Sequence, residues 1–432
     1  MQKQLRILVL SSYPQSYSGN MGGDLVERLE SIGHSVTWGY EGIEEQYKKV
    51  DDYKKQKQKE TSNLSLIKKI YSKSKILFYK YVLKKDSSFF FLVEDEEHPQ
   101  MVAPLDVNKI NGNYDIIYIL FTSYMISAKT IKELYDKFHC VIIAGSIDMY
   151  HLTGGCYYTK NCKNYRNECR YCPAFDLFHK NQAHRNYLYK KKVYESTNFT
   201  FSCNSWIKRI ADESGIMEGA NIGIKSYTLN GDVFKPLDRN QCRIDLGIPI
   251  NIKTILFARY SSQKRKGFDY VVDALNNYFK DKSQQERCDN LLLLVGEDNK
   301  SIEEKLPIPV KNLGRIPIEL LIKAYNTADV FISSSIDDAG PSMVNQSMAC
   351  GTPVISFEIG TALDVLFEGV SGFEAKLESQ EGFNRCFEKF FAMTEEERNG
   401  MRKKTREIAL KFNSRKVANE YVERIYNMRG GE

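Results

Sequence analysis

No apolar run in this chain of 432 residues approaches the roughly 18–20 residues that a membrane-spanning helix needs. The opening segment MQKQLRILVLSSYP has too short an apolar core for a secretory signal and no small-residue cleavage site. Internal repeats are also lacking. We therefore expect a cytosolic protein, in which the ten cysteines are thiols or metal ligands rather than disulfides.

The hydrophobic fraction of 42% is ordinary for a globular protein, and the length suffices for two or three domains. Short apolar runs alternate with amphipathic stretches, which is typical of parallel sheets covered by helices on both faces. Two series of such runs predict an α/β protein with two doubly wound, Rossmann-like domains. The first series is LRILVLSS (5–12), SVTW (35–38), DIIYILF (115–121), CVIIAGS (140–146), TFSC (200–203) and IKSYTLN (224–230), and the second is TILFA (254–258), LLLLVGE (291–297), NLGRI (312–316), DVFISSS (329–335) and PVISF (353–357).

Pro236 and several polar residues break this pattern within residues 232–241, where we predict the boundary between the two domains. The first domain then covers residues 1–235 and the second residues 236–410, followed by a final stretch over 411–432. Ligands of doubly wound sheets bind beyond the carboxyl ends of the strands, so the loops that leave each strand are the places to search.

A basic insertion interrupts the first domain over about residues 41–100. Its part 41–90 contains thirteen lysines against seven aspartates and glutamates, interleaved with tyrosines and apolar residues. A solvated helix face is the common explanation of such a run, and contact with an anionic membrane surface is the sharper alternative. Nucleic acid is not expected as a partner, because no recognition module accompanies the charge.

The segment DAGPSMVNQSMACG over residues 338–351 is the most informative stretch of the chain. One apolar run precedes it and another follows, which fits a strand, a glycine turn, a helix and a second strand. Gly340 allows a ligand to approach the backbone closely, and Pro341 suits the first helical position. The next N–H groups would point out of the helix N-terminus towards an anion such as phosphate, and they belong to Ser342, Met343 and Val344.

Asp338 and Gln346 lie eight residues apart in the same segment and would stand on either side of the bound anion, where they could hold hydroxyl groups. The plainer alternative is a helix with Asp338 near its cap, closed by Gly351 and Pro353. Both interpretations stay open on this segment alone.

Two loops that follow predicted strands suit a phosphate. After the first strand, Gly22 and Gly23 could bring backbone N–H groups to a phosphate or a sugar, although the G-x-G-x-x-G dinucleotide fingerprint is absent and the loop could be only a turn. After the strand TILFA, residues 258–268 place four cations in one strand-to-helix turn, which suits a diphosphate unless the turn is merely exposed. These cations are Arg259, Lys264, Arg265 and Lys266.

Four of the ten cysteines fall within residues 154–175 with the spacing C-x5-C-x6-C-x2-C. Four thiolates in a loop that is poor in aliphatic residues could form a tetrahedral structural zinc site. The spacing is not that of a standard zinc finger, and free thiols or a redox pair are the alternatives. The four residues are Cys156, Cys162, Cys169 and Cys172.

Together these motifs resemble the family-four retaining glycosyltransferases of the GT-B fold, and the cysteine-bearing loop resembles one in a subgroup that builds bacterial surface polysaccharides. The resemblance covers most of the chain. Several ordered motifs spread over two domains are more specific than any one of them. Besides the segments quoted above, they include GHSV (33–36), NSW (204–206), NGDVFKP (230–236), AYNTADVFISSS (324–335), MACGTPVISF (348–357) and GVSGFEAK (369–376).

The resemblance implies two domains facing a central cleft, with the acceptor bound by the first, a nucleotide sugar bound by the second, and a final helix within 411–432 that packs back on the first domain. Arg259 with either Lys264 or Lys266 would neutralise the leaving diphosphate, and a two-residue insertion leaves the choice of lysine open. The implied catalytic residues are Arg259, Lys266 and Asp338, and the implied donor-binding residues are Gly22, Gly23, Lys264, Gly314, Arg315, Gly340, Pro341, Ser342, Met343, Val344 and Gln346.

Two departures from the family pattern matter. The family commonly carries glutamates at the two positions that Asp338 and Gln346 occupy here, and an amide can hydrogen-bond a ribose hydroxyl without supplying charge. On the acceptor side, relatives often place a histidine just before the aspartate that corresponds to Asp148, where this chain has Ile147. His151 lies nearby and is the candidate to replace that histidine.

The activity that the resemblance implies is transfer of a sugar from a nucleotide-diphosphate donor to a glycan or lipid-linked acceptor, with retention of the anomeric configuration, in surface polysaccharide assembly. Such catalysis rests on positioning and on stabilising the leaving group's charge, so no catalytic metal or other cofactor is expected besides the donor as co-substrate. The implied location is the cytoplasm, with residues 41–90 towards the inner face of the membrane. A nucleotide-sugar isomerase of the same fold and a catalytically degenerate nucleotide-sugar-binding protein are the alternatives.

Overall fold

The computed structural model describes residues 4–15, 25–62, 89, 91, 93, 95–224, 229, 231–298, 300–340, 342–412 and 420. The chain forms two compact units, of which one runs to Lys225 and the other from Ser226 to Val417. The sequence placed this boundary somewhat later, at 235. Several predicted features lie outside the described residues, namely Gly22, Gly23, Pro341, residues 63–88 of the basic insertion, and residues 413–419 and 421–432 of the final stretch.

The first unit contains a six-stranded sheet in the order β2-β1-β3-β4-β5-β6, in which every pair of neighbours is parallel. The strands β3, β4 and β5 are buried along their whole length, which explains why they read as continuous apolar runs rather than as alternating ones. The strands are β1 (Arg6–Leu10), β2 (Ser35–Trp38), β3 (Ile116–Ile119), β4 (Val141–Gly145), β5 (Phe199–Cys203) and β6 (Asn221–Ile224).

Helices cover this sheet, and their ends follow ordinary capping chemistry. The helix Ala128–Phe138 begins at Ser127, whose side chain accepts from the N–H of Thr130 in a capping box, and it ends at His139 in the left-handed conformation. None of the helices in the described part of the chain combines the length and apolarity needed to cross a bilayer. The described helices of the first unit are residues 25–31, Ile43–Ser62, Ala128–Phe138, Gln182–Ser196 and Ser205–Ser214, with single turns at Val107–Lys109, Tyr150–Leu152 and Asn164–Asn167.

The second unit contains another parallel six-stranded sheet, in the order β12-β11-β10-β7-β8-β9. Its core lies between β7, β8 and β10 and the helices packed on them, with Phe257, Leu293 and Phe331 among its buried side chains. The strands are β7 (Thr254–Tyr260), β8 (Asn290–Gly296), β9 (Val310–Asn312), β10 (Val330–Ser333), β11 (Val354–Phe357) and β12 (Gly372–Ala375).

The helix Glu395–Phe412 connects several parts of the second unit. Its residue Arg406 donates hydrogen bonds to the carbonyl oxygens of Gly231, Phe234 and Ala349, the last being the final residue of the helix Ser342–Ala349. The helices of this unit are Arg239–Asp245, Phe268–Phe279, Gln284–Cys288, Lys300–Glu303, Ile318–Thr327, Ser342–Ala349, Ala362–Val365, Gln380–Ala392 and Glu395–Phe412, with a single turn at Lys264–Lys266.

The predicted fold class, two doubly wound parallel sheets, is confirmed, while three strands differ in detail. The strand β6 precedes the predicted run 224–230, and β9 begins two residues before the predicted run 312–316. The strand β12 was not predicted, because it has only four residues and opens on Gly372. A Cβ at Gly372 would lie 1.9 Å from the carbonyl oxygen of Val354, so the close pairing of β12 with β11 requires glycine there.

Candidate functional site

A cavity of about 140 Å³ lies in the second unit, at the carboxyl ends of two neighbouring strands, β7 and β10. This is the edge at which parallel sheets of this kind bind ligands. The helix Ser342–Ala349 begins at its rim. The cavity is lined by Arg259, Lys266, Phe331, Ile332, Ser333, Ser334, Ser335, Asp338, Gly340, Ser342 and Met343.

Arg259 reaches the cavity because of its place at the end of β7. It is the one exposed residue of that strand, whose other six residues are buried. Lys266 reaches the same cavity from the turn that follows, whereas Lys264, in the same turn, is exposed and does not line it. Of the two lysines that the sequence left open, Lys266 is the one that lines the cavity with Arg259.

The basic turn is bound tightly to the segment that follows β10. The Oγ of Ser334 donates to the carbonyl oxygen of Lys266 at 2.9 Å, and the N–H of Ile336 donates to the carbonyl oxygen of Arg265 at 2.8 Å. Gly267 ends the turn with a φ of 62°, and a Cβ there would lie 2.0 Å from the carbonyl oxygen of Ser334. Glycine is thus required at 267 for both its conformation and its contact.

Asp338 forms an ion pair with Lys266, the lysine that lines the cavity. Its Oδ2 is ion-paired with Lys266 Nζ and lies 3.8 Å from Arg265, while its Oδ1 accepts from the N–H of Gly340 at 3.2 Å. Burial lowers the pKa of Lys266, and the carboxylate of Asp338 opposes that shift. A lysine held charged by one carboxylate, beside Arg259 and Arg265, leaves a surplus of positive charge that suits an anion.

The helix that starts at the cavity presents two of its predicted residues to it. Ser342 and Met343 line the cavity, whereas Val344 is fully buried beneath it. Gln346 does not line the cavity. Its side chain is buried, and its Oε1 accepts a hydrogen bond from the hydroxyl of Tyr325 at 2.9 Å. Gln346 therefore stands outside the cavity that Asp338 lines, whereas the sequence placed both residues beside the same anion.

Gly314 and Arg315 lie beyond β9 and do not line this cavity. Gly314 adopts a φ of 63°, and its N–H donates to the side chain of Asn312 at 2.9 Å, which makes a tight turn. Arg315 is exposed. Their implied role in donor binding stays a prediction.

Sequence reasoning missed two sets of residues around the cavity. Ser333–Ser335 line it, and the rule that ligands bind at strand ends would have indicated them, since they close the run DVFISSS. Glu297, which follows β8, accepts from the Oγ of Ser261 at 2.9 Å and from the N–H of Ser262 at 2.8 Å, and so it anchors the start of the basic loop. No motif in the sequence pointed to Glu297.

In the first unit, the predicted acceptor-side residues follow β4. Asp148 is partly exposed, and it accepts from the N–H of Tyr150 at 2.8 Å. Burial raises the pKa of Asp148 to about 7. His151 is buried, its Nδ1 lies 2.8 Å from the Tyr194 hydroxyl, and burial lowers its pKa to about 3, so the ring is neutral. Of the two, only Asp148 is accessible.

A fully buried ion pair holds this loop in place, and no pattern in the sequence indicates it. Lys190 and Glu96 are 0% exposed, with Nζ 3.2 Å from Oε1. The same Nζ donates to the carbonyl oxygens of Tyr150 at 2.7 Å and Thr153 at 3.3 Å. The hydroxyl of Tyr150 donates to Glu96 at 2.9 Å. The pair therefore fixes the backbone between Asp148 and the cysteine loop.

The four cysteines of the predicted zinc site lie in that loop as free thiols, three of them buried. Burial raises the pKa of Cys169 to about 12 and that of Cys172 to about 11. Within the described residues, no three cysteine, histidine, aspartate or glutamate side chains stand in an arrangement that could hold a metal ion. Structural zinc and the free-thiol alternative for Cys156, Cys162, Cys169 and Cys172 both stay predictions.

Solved structures of similar fold extend over the whole chain. Sucrose-phosphate synthase from Thermosynechococcus elongatus superposes with a TM-score of 0.61 at 14% identity, covering 100% of both chains. A glycosyltransferase from Rickettsia africae has a TM-score of 0.57 at 13% identity, again covering 100% of both. HepE from Anabaena, solved in complex with UDP, has a TM-score of 0.56 at 12% identity over 99% of this chain and 100% of its own. The fold is the GT-B fold.

The sequence matches a family model over part of its length. Residues 239–408, which contain the cavity, match the model of the Glycosyl transferases group 1. A D-inositol 3-phosphate glycosyltransferase from Acidothermus cellulolyticus is 28% identical over 151 residues, covering 32% of this chain and 34% of that protein. The match thus spans about a third of that relative's length. Residues 239–408 are thus similar to the Glycosyl transferases group 1, which confirms the predicted resemblance, while membership of the subgroup with a cysteine loop stays a prediction.

Proposed function

We propose that the protein is a retaining glycosyltransferase that moves a sugar from a nucleotide-diphosphate donor to a glycan or lipid-linked acceptor, in the assembly of a bacterial surface polysaccharide. The observation that carries the proposal is the cavity at the carboxyl ends of β7 and β10, where Arg259 and Lys266 meet the start of the helix Ser342–Ala349. Two cations and a helix N-terminus form a site for a diphosphate.

The proposed chemistry needs positioning more than acid–base groups. As the bond between sugar and diphosphate breaks, negative charge grows on the leaving oxygen, and Arg259 and Lys266 stabilise it. Asp338 holds the Lys266 ammonium in place through their ion pair. The acceptor hydroxyl attacks from the face that the diphosphate leaves, and the leaving phosphate accepts its proton. No general base, catalytic metal or further cofactor enters this scheme.

Uridine nucleotides are the first donors to test. The Anabaena HepE structures contain UDP or UDP-glucose, and a TarM mutant from Staphylococcus aureus was solved with UDP. Their identity to this chain, at most 13%, carries the fold alone, so the nucleotide is part of our proposal.

The deciding experiment incubates the full-length chain with a panel of UDP- and GDP-sugars, with and without lipid-linked acceptor. We expect sugar transfer with retained configuration, which the double variant Arg259→Ala/Lys266→Ala abolishes. Epimerised donor without transfer would identify the isomerase instead. Donor binding with no product under any condition would identify a degenerate binding protein.

Asp148 is the side chain that we propose for the acceptor side, because it is partly exposed at the end of β4 whereas His151 is buried. The variant Asp148→Asn should lower kcat with an accepted acceptor and leave UDP affinity unchanged. An unchanged kcat would remove Asp148 from the site. The proposed location is the cytoplasm, peripheral to the inner face of the membrane, with the basic segment 41–90 towards the lipid.

Structural zinc in the cysteine loop is a separate proposal, supported by four cysteines within one loop. Elemental analysis of the protein purified without chelator should give about one zinc per chain. The variant Cys169→Ser/Cys172→Ser should lose it, while Cys288→Ser, at an exposed cysteine outside the loop, should keep it. Protein without zinc would establish the free thiols instead.

A further inference from the structure

The loop after β4 presents large apolar side chains to solvent. Phe178 is 85% exposed, Tyr171 70% and Leu177 42%, and the first two are the most exposed large hydrophobic residues in the described part of the chain. We name residues 171–178 the aromatic tip. Exposed apolar side chains that are scattered singly are ordinary, whereas three within eight residues mark a contact surface.

The aromatic tip is held in a defined shape. The N–H of Cys172 donates to the carbonyl oxygen of Lys180 at 3.2 Å and so closes the loop. Inside it, Asp176 Oδ1 accepts from the N–H groups of Phe178 at 3.0 Å and His179 at 3.1 Å, which fixes a turn. The exposed side chains therefore stand on an ordered backbone, and binding through them would cost little conformational entropy.

The tip is anchored beneath by buried residues of the same loop. Phe175 is buried and meets the ring of Phe91 edge-on, with centroids 5.0 Å apart. Phe175 is thus the aromatic residue of this segment that enters the interior, while Phe178, three residues on, points outwards. Because the ring of Phe175 is buried while that of Phe178 is exposed, the exposure of the tip is a feature of the fold.

The loop that contains the aromatic tip is rich in positive charge. Residues 154–185 contain six lysines and arginines against two acidic residues. Some of these cations are paired, as Arg166 is with Glu213 and Arg170 with Glu168. Aromatic and aliphatic side chains framed by lysines and arginines are typical of surfaces that enter the headgroup region of anionic membranes. The basic residues are Lys160, Lys163, Arg166, Arg170, Lys180 and Arg185.

We propose that the aromatic tip inserts into the headgroup region of an anionic lipid bilayer, with Lys163 and Lys180 against the lipid phosphates. The proposal deepens the proposed function, on which it rests for a lipid-linked acceptor, and it names a surface apart from residues 41–90. Three side chains are far fewer than the roughly 20–30 residues that each partner of a stable protein interface contributes. For reversible membrane contact, a few apolar side chains with added charge suffice.

The test is flotation of the full-length chain with vesicles of phosphatidylcholine, with or without about a third phosphatidylglycerol. Replacing Leu177 and Phe178 together by serine should lower the partition onto anionic vesicles at least about tenfold. Phe367→Ser, at a residue of the second unit that is 47% exposed, is the matched control and should change it less than about twofold. Lys163→Gln/Lys180→Gln should weaken binding to anionic vesicles by roughly fivefold per lysine.

A second readout covers the case in which the serine variant fails to fold. In Phe178→Trp, vesicles should shift the added tryptophan emission to the blue, whereas in Phe367→Trp they should not. Flotation of the serine variant equal to that of the wild type, or no emission shift at 178, would overturn the proposal. So would a wild-type dimer that becomes monomeric in the serine variant while flotation is unchanged, since the tip would then join two copies. UDP binding, measured in parallel, reports on the donor site, so a failed donor assignment is recognised separately.

Discussion

Each unit of this protein contains a lysine–carboxylate ion pair, and the two pairs differ in their surroundings. In the first unit, Lys190 and Glu96 are sealed at 0% exposure, and the remaining donors of the ammonium are directed at backbone carbonyls. In the second unit, Lys266 and Asp338 line a cavity beside Arg259. The two pairs consist of the same chemical groups, but a ligand can reach only the pair in the second unit.

The difference separates a structural tie from a binding site. A sealed pair can only hold the chain together, because its desolvation is already complete and no ligand can reach it. A pair that lines a cavity next to further cations can exchange part of its contact for an incoming phosphate. Loss of the Lys190–Glu96 pair should therefore lower the free energy of unfolding. Loss of the cations that line the cavity should instead weaken the binding of UDP.

The largest effect is expected from breaking the sealed pair. Lys190→Met leaves Glu96 charged and uncompensated in the interior, and it should lower the free energy of unfolding by about 3–5 kcal/mol. Urea denaturation followed by circular dichroism measures this. Adding Glu96→Leu should recover most of the loss. Lys208→Met, which breaks an exposed pair with Asp212, should cost less than about 1 kcal/mol. Equal losses from the buried and the exposed pair would contradict the comparison.

The cavity's cations should move affinity instead. Arg259→Ala/Lys266→Ala should weaken UDP binding about a hundredfold, since two charge-assisted contacts to the diphosphate are lost. Isothermal titration calorimetry gives the dissociation constants. Lys264→Ala, in the same turn but outside the cavity, is the matched control and should bind UDP as the wild type does. Unchanged affinity in the double variant would remove the diphosphate assignment.

The backbone beneath the cavity gives a smaller and sharper test. Gly267→Ala places a Cβ against the carbonyl oxygen of Ser334 in addition to straining a φ of 62°. We expect a loss of about 2–3 kcal/mol in unfolding free energy together with weaker UDP binding. Gly369→Ala has a φ of 70° and no neighbour within 4 Å of its Cβ, so it should cost only about 1 kcal/mol and leave UDP binding unchanged. Equal behaviour of the two variants would mean that the contact at 267 does not shape the cavity.

The last test concerns the pH dependence of stability in the loop that the sealed pair supports. The folded pKa of Asp148, raised by burial to about 7, makes unfolding easier as pH rises from about 4 to 7, because the folded state holds the extra proton. The pKa of His151, lowered by burial to about 3, acts in the opposite direction between about 3 and 6.5, because the unfolded state holds the extra proton. The two contributions oppose each other from about pH 4 to 6.5.

Asp148→Asn should therefore leave the His151 contribution unopposed. Relative to the wild type, its unfolding free energy should rise more steeply with pH across that window. Urea midpoints at pH 4.5 and 6.5 measure the difference. His151→Gln should show the opposite slope, and parallel curves for all three proteins would show that neither group titrates as the fold requires.

The parts of this molecule that follow from periodicity could be predicted from the sequence. Runs such as TILFA and DVFISSS are buried strands in the structure. Arg259 lies near the carboxyl end of the first strand, and Asp338 lies in the loop that follows the second. These features are local, because each depends on fewer than about fifteen consecutive residues.

The features that the sequence did not reveal join distant residues. Glu96 and Lys190 are 94 positions apart, and nothing in either neighbourhood predicts a fully buried charge. Gln346 belongs to a motif that predicts ligand contact, yet its carbonyl group is taken by Tyr325, 21 residues away. Pairings of this kind depend on how helices pack on the sheet, and a one-dimensional pattern does not contain that information.

The Arg406 contact has an electrical consequence for the cavity. A helix is polarised along its axis, with its positive end at the first residues and its negative end at the last. In the helix Ser342–Ala349, the final carbonyl is bound by a guanidinium. The negative pole is therefore largely cancelled, while the positive pole faces the cavity without an equal opposite charge behind it. An anion at Ser342 thus experiences a more positive electrostatic potential than the helix Ser342–Ala349 would produce without Arg406.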